Sequence, residues 1–213
     1  MSFVPDASIL LAYSLAGLVL FITPGPDMSL FLAKTIAGGR RAGIAAMTGT
    51  SLGCIVHSLL AAFGLSALIA ASPSMFLALK IAGALYLLWL AVDAVRNGSS
   101  LNVKPGAASS ARLWSDLARG FTVNLSNPKV VLFFVTFLPQ FVDPHDPDAA
   151  GKLLFLGIYF VVLSYPLAVL LILAAERLVG SLKRTPRLLR AIDWLFAGVF
   201  SAFAVRIFAT QSR

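Results

Sequence analysis

The chain has 213 residues, of which 59% are hydrophobic and only 12% are charged, and its mean hydropathy is +0.89. Soluble domains contain roughly 25% charged residues, so this composition excludes an ordinary soluble domain and indicates a membrane protein. The net charge of +8 does not predict nucleic-acid binding, because most of the basic residues lie in alternate loops between apolar segments.

Six apolar segments are long enough to cross a bilayer, since a helical span needs about 20 apolar residues. We place them at about 7–33, 43–71, 74–95, 118–141, 152–175 and 190–209. Their apolar runs are continuous rather than alternating, which argues against a membrane β-barrel. The sequence therefore predicts an all-α polytopic membrane protein with six transmembrane helices.

The first span is interrupted by Pro24, Gly25, Pro26 and Asp27. A proline break in lipid frees backbone amides and carbonyls, and such backbone survives only where it is buried in protein or lines a wet cavity. The half-helix ends favour anions at their amides and cations at their carbonyls. A charge at the bilayer centre costs at least about 2.5–3.5 kcal/mol, so we expect Asp27 to bind substrate or a proton.

The second span carries small residues, one histidine and the single cysteine, Cys54. Gly49 and Gly53 have the spacing that lets two helices approach closely, although leaving room for substrate is a compatible alternative. His57 follows one turn later, where proton relay and hydrogen-bonded packing are both open. A lone cysteine excludes an internal disulfide, and we expect it to be a small buried side chain.

A linker at about 96–112, rich in glycine, serine, alanine and proline, divides the chain. It separates a first repeat, about 7–95, from a second, about 113–209, within a single membrane transporter domain over 1–213. Three spans on each side mean that the second half enters the membrane in the opposite sense, which is the parity of a 3+3 inverted repeat. The opening span of each half is broken, and this correspondence supports the repeat.

The second break contains Asn124, Asn127, Pro128 and Lys129. Two breaks at corresponding positions of two halves point to the binding site of a transporter. Asn127 is also placed to cap the half-helix that begins at Pro128. For the two charges, Asp27 and Lys129, a structural ion pair between the broken helices is the alternative to substrate binding.

Loop charges predict the orientation, because basic loops remain cytoplasmic. Of the 17 basic residues, 12 lie in the first, third and fifth loops: Lys34, Arg40, Arg41, Arg96, Lys104, Arg112, Arg119, Arg177, Lys183, Arg184, Arg187 and Arg190. The fourth loop holds Asp143, Asp146 and Asp148 against Lys152. We therefore expect both termini to lie outside.

Several of these motifs together resemble the LysE/RhtB family of amino-acid exporters. The matching segments, in family order, are Thr23-Pro-Gly-Pro-Asp27, Gly38-Gly-Arg-Arg-Ala-Gly43, Gly49-xxx-Gly53-xxx-His57, Gly83-Ala-Leu-Tyr-Leu87, Asn127-Pro-Lys129 and Phe137-Leu-Pro-Gln-Phe141. Pro-Gly-Pro combined with Asn-Pro-Lys is specific, whereas the last two spans match only in hydropathy. The resemblance implies export of amino acids across the bacterial inner membrane, driven by the proton motive force.

The expected mechanism is antiport. Asp27 would bind the substrate ammonium or a competing proton, and Lys129 or the amides beside Pro128 would hold the carboxylate, with His57 as a second proton site. Export of a cation or other small metabolite, and a non-transporting membrane subunit, are the alternatives.

No P-loop or zinc-protease motif predicts ATP coupling or an enzyme, and the scattered ligands lack metal-site spacing. We expect no cofactor, no metal and no nucleic-acid partner, only the lipid bilayer and an amino-acid substrate. Formation of a homo-oligomer is left open.

Overall fold

The computed structural model describes residues 3–97, 113–143, 146–175, 177 and 186–211. Every regular element within these ranges is helical, as the sequence predicts. In chain order they are α1 (Ala7–Ile22), α2 (Pro26–Leu59), a first π-helical segment (Leu60–Leu65), α3 (Ser66–Ala71), α4 (Pro73–Asn97), α5 (Leu113–Leu125), α6 (Pro128–Leu132), a second π-helical segment (Phe133–Phe137), a 3-10 turn (Leu138–Phe141), α7 (Ala149–Leu173) and α8 (Pro186–Gln211). The predicted linker, apart from Arg96 and Asn97, falls outside the described residues.

Length and composition mark two of the described stretches, Pro26–Leu65 and Ala149–Leu173, as candidate membrane spans. The pair Leu113–Leu125 and Pro128–Phe141, bent by 54° at its break, qualifies as one broken span. The chain is therefore a helical membrane protein. The arrangement as six spans in a 3+3 inverted repeat stays a prediction.

Both predicted breaks interrupt helices. α1 ends at Ile22, residues 23–25 are non-helical, and α2 begins with Pro26. α5 ends at Leu125 and α6 begins with Pro128. Proline suits the first position of a helix because its missing N–H would have no intrahelical partner there.

α2 is not one straight helix, because it reverses direction at Gly39. The backbone there has φ 79° and ψ 176°, a conformation that is essentially restricted to glycine. A Cβ at Gly43 would overlap the Thr35 hydroxyl and lie 3.1 Å from the Phe31 carbonyl oxygen. Residues eight apart on a straight helix are about 12 Å apart, so the first arm (26–38) and the second arm (40–59) must fold back on each other.

This hairpin corrects the expectation of a loop between the first two predicted spans. The segment that contains Lys34, Arg40 and Arg41 is helical on both sides of Gly39. Gly39 alone reverses the chain in a conformation that glycine adopts readily, so a connection of several residues is not required.

The second arm packs directly against α5 through glycines from both helices. A Cβ at Gly49 would overlap the carbonyl oxygen of Leu117, and one at Gly120 would overlap the carbonyl oxygen of Ala46. The two backbones are therefore in contact, which small residues alone permit. Gly53 continues this interface and lies against the Asn124 side chain.

An ion pair fixes the first arm to α5. The Lys34 ammonium nitrogen lies 2.5 Å from Asp116 Oδ1, and Asp116 is buried. Lys34 lies five residues before Gly39, toward the end of the first arm that is farther from the Pro26 break. The first arm is thus held near both of its ends, by the break region and by this ion pair.

Candidate functional site

The two breaks meet at an internal cavity of about 70 Å³. Its polar lining comes chiefly from Thr23, Gly25, Asp27, Asn124, Asn127 and Lys129 at the breaks, Thr50, Ser51 and Cys54 on α2, and Ser164 and Tyr165 on α7. A buried water needs roughly 10–15 Å³, so the cavity has room for several waters. Of the remaining predicted site residues, Pro24 is buried, whereas Pro26 and Pro128 are exposed beside the breaks.

Asp27 lies in the first turn of α2, where the helix dipole favours an anion. Its Oδ2 accepts a 2.7 Å hydrogen bond from Asn124 Nδ2. Its Oδ1 is buried and has no hydrogen-bond partner among the described residues. The carboxylate therefore offers one oxygen that is already bound and one that is open to the cavity.

Asn124 connects several parts of the site. Besides its bond to Asp27, its Nδ2 lies 3.5 Å from Cys54 Sγ, and its backbone oxygen lies 3.5 Å from His57 Nε2. Its side chain is fully buried against Gly53, and its Oδ1 has no partner within the described part of the chain. Asn124 thus adds a second open acceptor near Asp27.

Asn127 caps α6. Its Oδ1 accepts a 3.2 Å hydrogen bond from the Lys129 amide, and its backbone oxygen accepts from the amides of Val130 and Val131, both at 3.0 Å. The amides beside Pro128, one of the two expected carboxylate holders, are therefore already engaged by the cap. Its Nδ2 is buried near the Asp27 carboxylate and makes no hydrogen bond of standard geometry to a described residue, so it is available as a donor.

Lys129 reaches across to the other broken helix. Its Nζ donates to the carbonyl oxygens of Leu20 at 3.0 Å and Thr23 at 2.7 Å. These carbonyls lie at the C-terminal end of α1, where the helix dipole favours a cation. An ammonium has three N–H groups, so one is left for a further acceptor in the cavity.

A direct ion pair between Asp27 and Lys129, the alternative considered from sequence, is not formed. Asp27 is bound to Asn124, whereas Lys129 is bound to the end of α1. The physical reason is that each charge finds a hydrogen-bond partner suited to it at the end of a different broken helix. An acid and a base are thus held separately on one cavity wall.

The N-terminus of α2 is open at this cavity. No side chain among the described residues caps it, and its first backbone hydrogen bond runs from the Ser29 amide to the Gly25 oxygen at 2.9 Å. The amides of Asp27 and Met28 precede that bond and have no intrahelical acceptor. Gly25 also leaves space for the Lys129 ammonium, which lies 3.2 Å from the position that a Cβ would take.

His57 is buried beside the site rather than in it. Its ring stacks on Phe134 with centroids 5.6 Å apart, and it does not line the cavity. It contacts the site through the backbone oxygen of Asn124. This position gives His57 a packing contact but no direct access to the carboxylate of Asp27.

The LysE type translocator family matches residues 18–211 of the chain. The chain belongs to this family. The leucine efflux protein of Klebsiella pneumoniae is 31% identical to it over 209 residues, which cover 95% of each chain. The homoserine/homoserine lactone efflux protein of Salmonella typhimurium is 30% identical over 189 residues, covering 89% of this chain and 90% of the relative.

An uncharacterized membrane protein of Pseudomonas aeruginosa is 31% identical over 199 residues, covering 92% of each chain. No solved structure matches this translocator. Membership confirms the family resemblance inferred from the motifs, and it places the protein among transporters rather than enzymes.

The cavity of the translocator includes residues that the sequence reasoning missed. On the second arm these are Met47, Thr50 and Ser51, which continue to Cys54. Their spacing of three, four and seven residues places them on one face of a helix. A stripe of hydroxyl and sulfur side chains along one face of an apolar span could have predicted that these residues line a cavity.

Proposed function

We propose that this protein is a secondary transporter that exports amino acids from the bacterial cytoplasm across the inner membrane in exchange for protons. One observation carries the proposal. Asp27 Oδ1, Asn124 Oδ1 and Asn127 Nδ2 are buried without a hydrogen bond of standard geometry to any residue that the structure describes, and all three residues line a cavity that Lys129 also lines. Buried polar atoms nearly always have hydrogen-bond partners, so two open acceptors and an open donor suit a ligand with both kinds of group.

An amino-acid zwitterion matches this set. The substrate ammonium binds Asp27 Oδ1 and Asn124 Oδ1, both of which accept hydrogen bonds. The carboxylate binds the remaining N–H of Lys129 and the Nδ2 of Asn127, with the open amides of α2 as further donors. All amino acids share these two groups, so this part of the site recognises the class rather than one member.

Proton coupling follows from competition for Asp27. A proton and the substrate ammonium both require the carboxylate, and a protonated Asp27 no longer attracts a cation. A proton that arrives from the outside therefore displaces the substrate, which leaves on that side. His57 is the second candidate proton site, although it does not line the cavity.

The side chain of the substrate lies against the apolar part of the lining. This part includes Met28, Phe31, Met47 and Phe160, and methionine adapts its shape to different ligands. The names of the leucine and homoserine efflux relatives support a neutral amino acid.

The proposed topology has six spans in two inverted halves, with both termini outside. The ion pair between Lys34 and Asp116 supports one element of it, because it brings the predicted first loop and the start of α5 to the same end of the molecule. Cysteines introduced at Ser2, Gly106 and Ser212 in a Cys54→Ser background test it. Ser2 and Ser212 should react from outside and Gly106 from inside, whereas termini on opposite sides would exclude six spans.

The transport proposal is tested in proteoliposomes with a panel of radiolabelled amino acids and inorganic cations. An imposed pH gradient should drive uphill movement of at least one neutral amino acid, and collapse of the gradient should stop it. Movement of cations without any amino acid, or amino-acid movement indifferent to the gradient, would refute the corresponding part of the proposal.

A further inference from the structure

Four aromatic side chains pack together between the N-terminal half of α1 and the helix that follows the second break. This aromatic plug consists of Tyr13, Phe133, Phe137 and Phe141, all buried. The ring centroids of Tyr13 lie 5.8 Å from Phe133 and 5.2 Å from Phe141, and those of Phe133 and Phe137 are 5.2 Å apart. The rings therefore form one continuous contact between α1 and the helix that follows the second break.

A second, wider space lies on the far side of the plug. This terminal groove has a volume of about 450 Å³ and is lined by Ser8, Ile9, Ala12, Gln140, Phe141, Val142 and Asp143. Unlike the central cavity, it lies at the ends of its helices. Phe141 belongs to both the groove and the plug, so the two are adjacent.

Along two helices, the residues that line the central cavity, form the plug and line the groove follow one another in the same spatial order. Along α1, Leu20 lines the cavity, Tyr13 belongs to the plug and Ala12 lines the groove. Along the second half of the broken helix the corresponding residues are Val130, Phe137 and Gln140. Tyr13 and Leu20 are seven residues apart, or about 10 Å along a helix, so the plug is a short barrier between two spaces.

Tyr13 brings an unpaired polar atom into this barrier. Its side chain is fully buried, and its hydroxyl has no hydrogen-bond partner among the described residues. Buried hydroxyls of tyrosine usually find a partner. A phenylalanine would fill the same space without burying an unpaired hydroxyl. We therefore infer that the hydroxyl acts in a conformation other than the packed plug.

The plug also includes an unusual stretch of backbone. Phe133 and Phe137 are the two ends of the second π-helical segment, and the buried residues of the first π-helical segment belong to the same hydrophobic core. π-Helical turns are rare and occur frequently at functional sites. Conversion of such a turn to α-helix changes the register by one residue, which rotates the side chains beyond it.

We propose that the aromatic plug is the gate of the translocation path on the side of the α1 N-terminus. It opens when the second π-helical segment rearranges, and the Tyr13 hydroxyl then contacts the substrate or water that passes. The gate rests on the proposed transport function, because only a transporter needs to open this barrier. A rigid hydrophobic core is the alternative that the experiment must exclude.

Cys54 provides a reporter that does not depend on transport. It is the single cysteine of the chain and lines the central cavity. A membrane-impermeant charged methanethiosulfonate is added to oriented membrane vesicles from each side in turn, with Cys54→Ser as the background control. A tag at the N-terminus identifies the side on which α1 begins.

In the unaltered protein, Cys54 should react slowly from the α1 N-terminal side. Phe137→Ala and Tyr13→Ala should each accelerate that reaction at least tenfold and leave the rate from the opposite side unchanged. Phe155→Ala, which removes an equal ring from α7 outside the plug, should have no effect. Rapid labelling of the unaltered protein from this side, or no acceleration in folded plug variants, would overturn the gate.

Tyr13→Phe separates the hydroxyl from the ring. Labelling of Cys54 should stay slow, because the ring still fills the plug, whereas net efflux should fall severalfold with substrate binding unchanged. Unchanged efflux would refute the contact made by the hydroxyl. If no amino acid is transported but side-specific labelling behaves as expected, the transport proposal fails and the barrier is still demonstrated.

Discussion

The ammonium nitrogen of Lys129 lies 2.7 Å from the carbonyl oxygen of Thr23, a residue 106 positions earlier in the chain. Through this bond the helix after the second break caps the helix before the first one. The cation occupies the negative end of α1, which proline and glycine would otherwise leave open. One side chain therefore joins the two breaks, and its removal affects both stability and ligand binding.

Lys129→Met and Lys129→Gln should separate these two roles. Methionine leaves the carbonyls of Leu20 and Thr23 without a donor, which should cost about 1–3 kcal/mol of stability. Glutamine keeps an amide donor and loses the charge, so it should retain more stability while transport falls at least tenfold. Thermal unfolding in detergent and uptake in proteoliposomes measure the two effects.

Lys152→Gln is the matched control for these variants. Lys152 pairs with Asp146 near the start of α7, away from the cavity, and exposed ion pairs contribute little. Its loss should change neither quantity appreciably. If Lys129→Gln and Lys152→Gln changed stability and transport equally, Lys129 would have no particular role in either.

Asp27→Asn should abolish transport driven by a pH gradient. The amide cannot take up a proton, but its oxygen still accepts a hydrogen bond from the substrate ammonium. Exchange of labelled for unlabelled substrate should therefore survive at a reduced rate. If the variant keeps gradient-driven transport with an unchanged pH dependence, Asp27 is not the coupling residue and His57 becomes the leading candidate.

Asp146→Asn is the control for that experiment. The pKa of Asp146 is lowered because the Lys152 ammonium and the Asp148 amide donate hydrogen bonds to its carboxylate. Its ionised form is favoured in the folded protein, and the resulting stability is lost only as the pH falls through this lowered pKa. Between pH 5 and 8 the variant should retain the pH profile of the unaltered protein.

Gly49→Ala and Gly120→Ala should destabilise the contact between the second arm and α5. Each added methyl would overlap a carbonyl oxygen of the facing helix, and overpacking costs typically about 1–3 kcal/mol. Gly198→Ala, which meets no atom within 4 Å, is the control and should be neutral or slightly stabilising. Equal thermal stabilities of the three variants would contradict the close packing.

Gly39→Ala should lower stability although space is available for the methyl group. No heavy atom lies within 4 Å of the added Cβ, but φ is 79°, and such backbone costs of order 1–3 kcal/mol for other residues. Gly64→Ala, which also has open space, should be tolerated. A Gly39→Ala variant as stable as Gly64→Ala would show that the turn can relax.

The positions of both helix breaks could be predicted from the sequence, because proline acts locally on its own backbone. The same holds for Asn127 as the cap of α6 and for the glycine spacing at Gly49 and Gly53. In each of these cases the physical cause lies within a few residues of its effect.

The partners of the charged residues could not be predicted in this way. Lys129 was expected to bind a substrate or to pair with Asp27, and its bond to the end of α1 was not foreseen. That bond depends on how two distant helices cross. A chain reversal between the first two spans was expected, but the one-residue turn at Gly39 was not. Two glycines followed by two arginines resemble an ordinary loop, and the packing of the two arms decides how far each helix continues.

The two breaks differ in how completely their backbone groups are satisfied. Asn127 engages three amides of the second break, whereas in the part of the chain that the structure describes no side chain caps the N-terminus of α2 at the first. If the halves are related by inversion, this difference makes them inequivalent in energy. The inward-facing and outward-facing states of such a transporter then differ in free energy even without a substrate, so their populations are unequal.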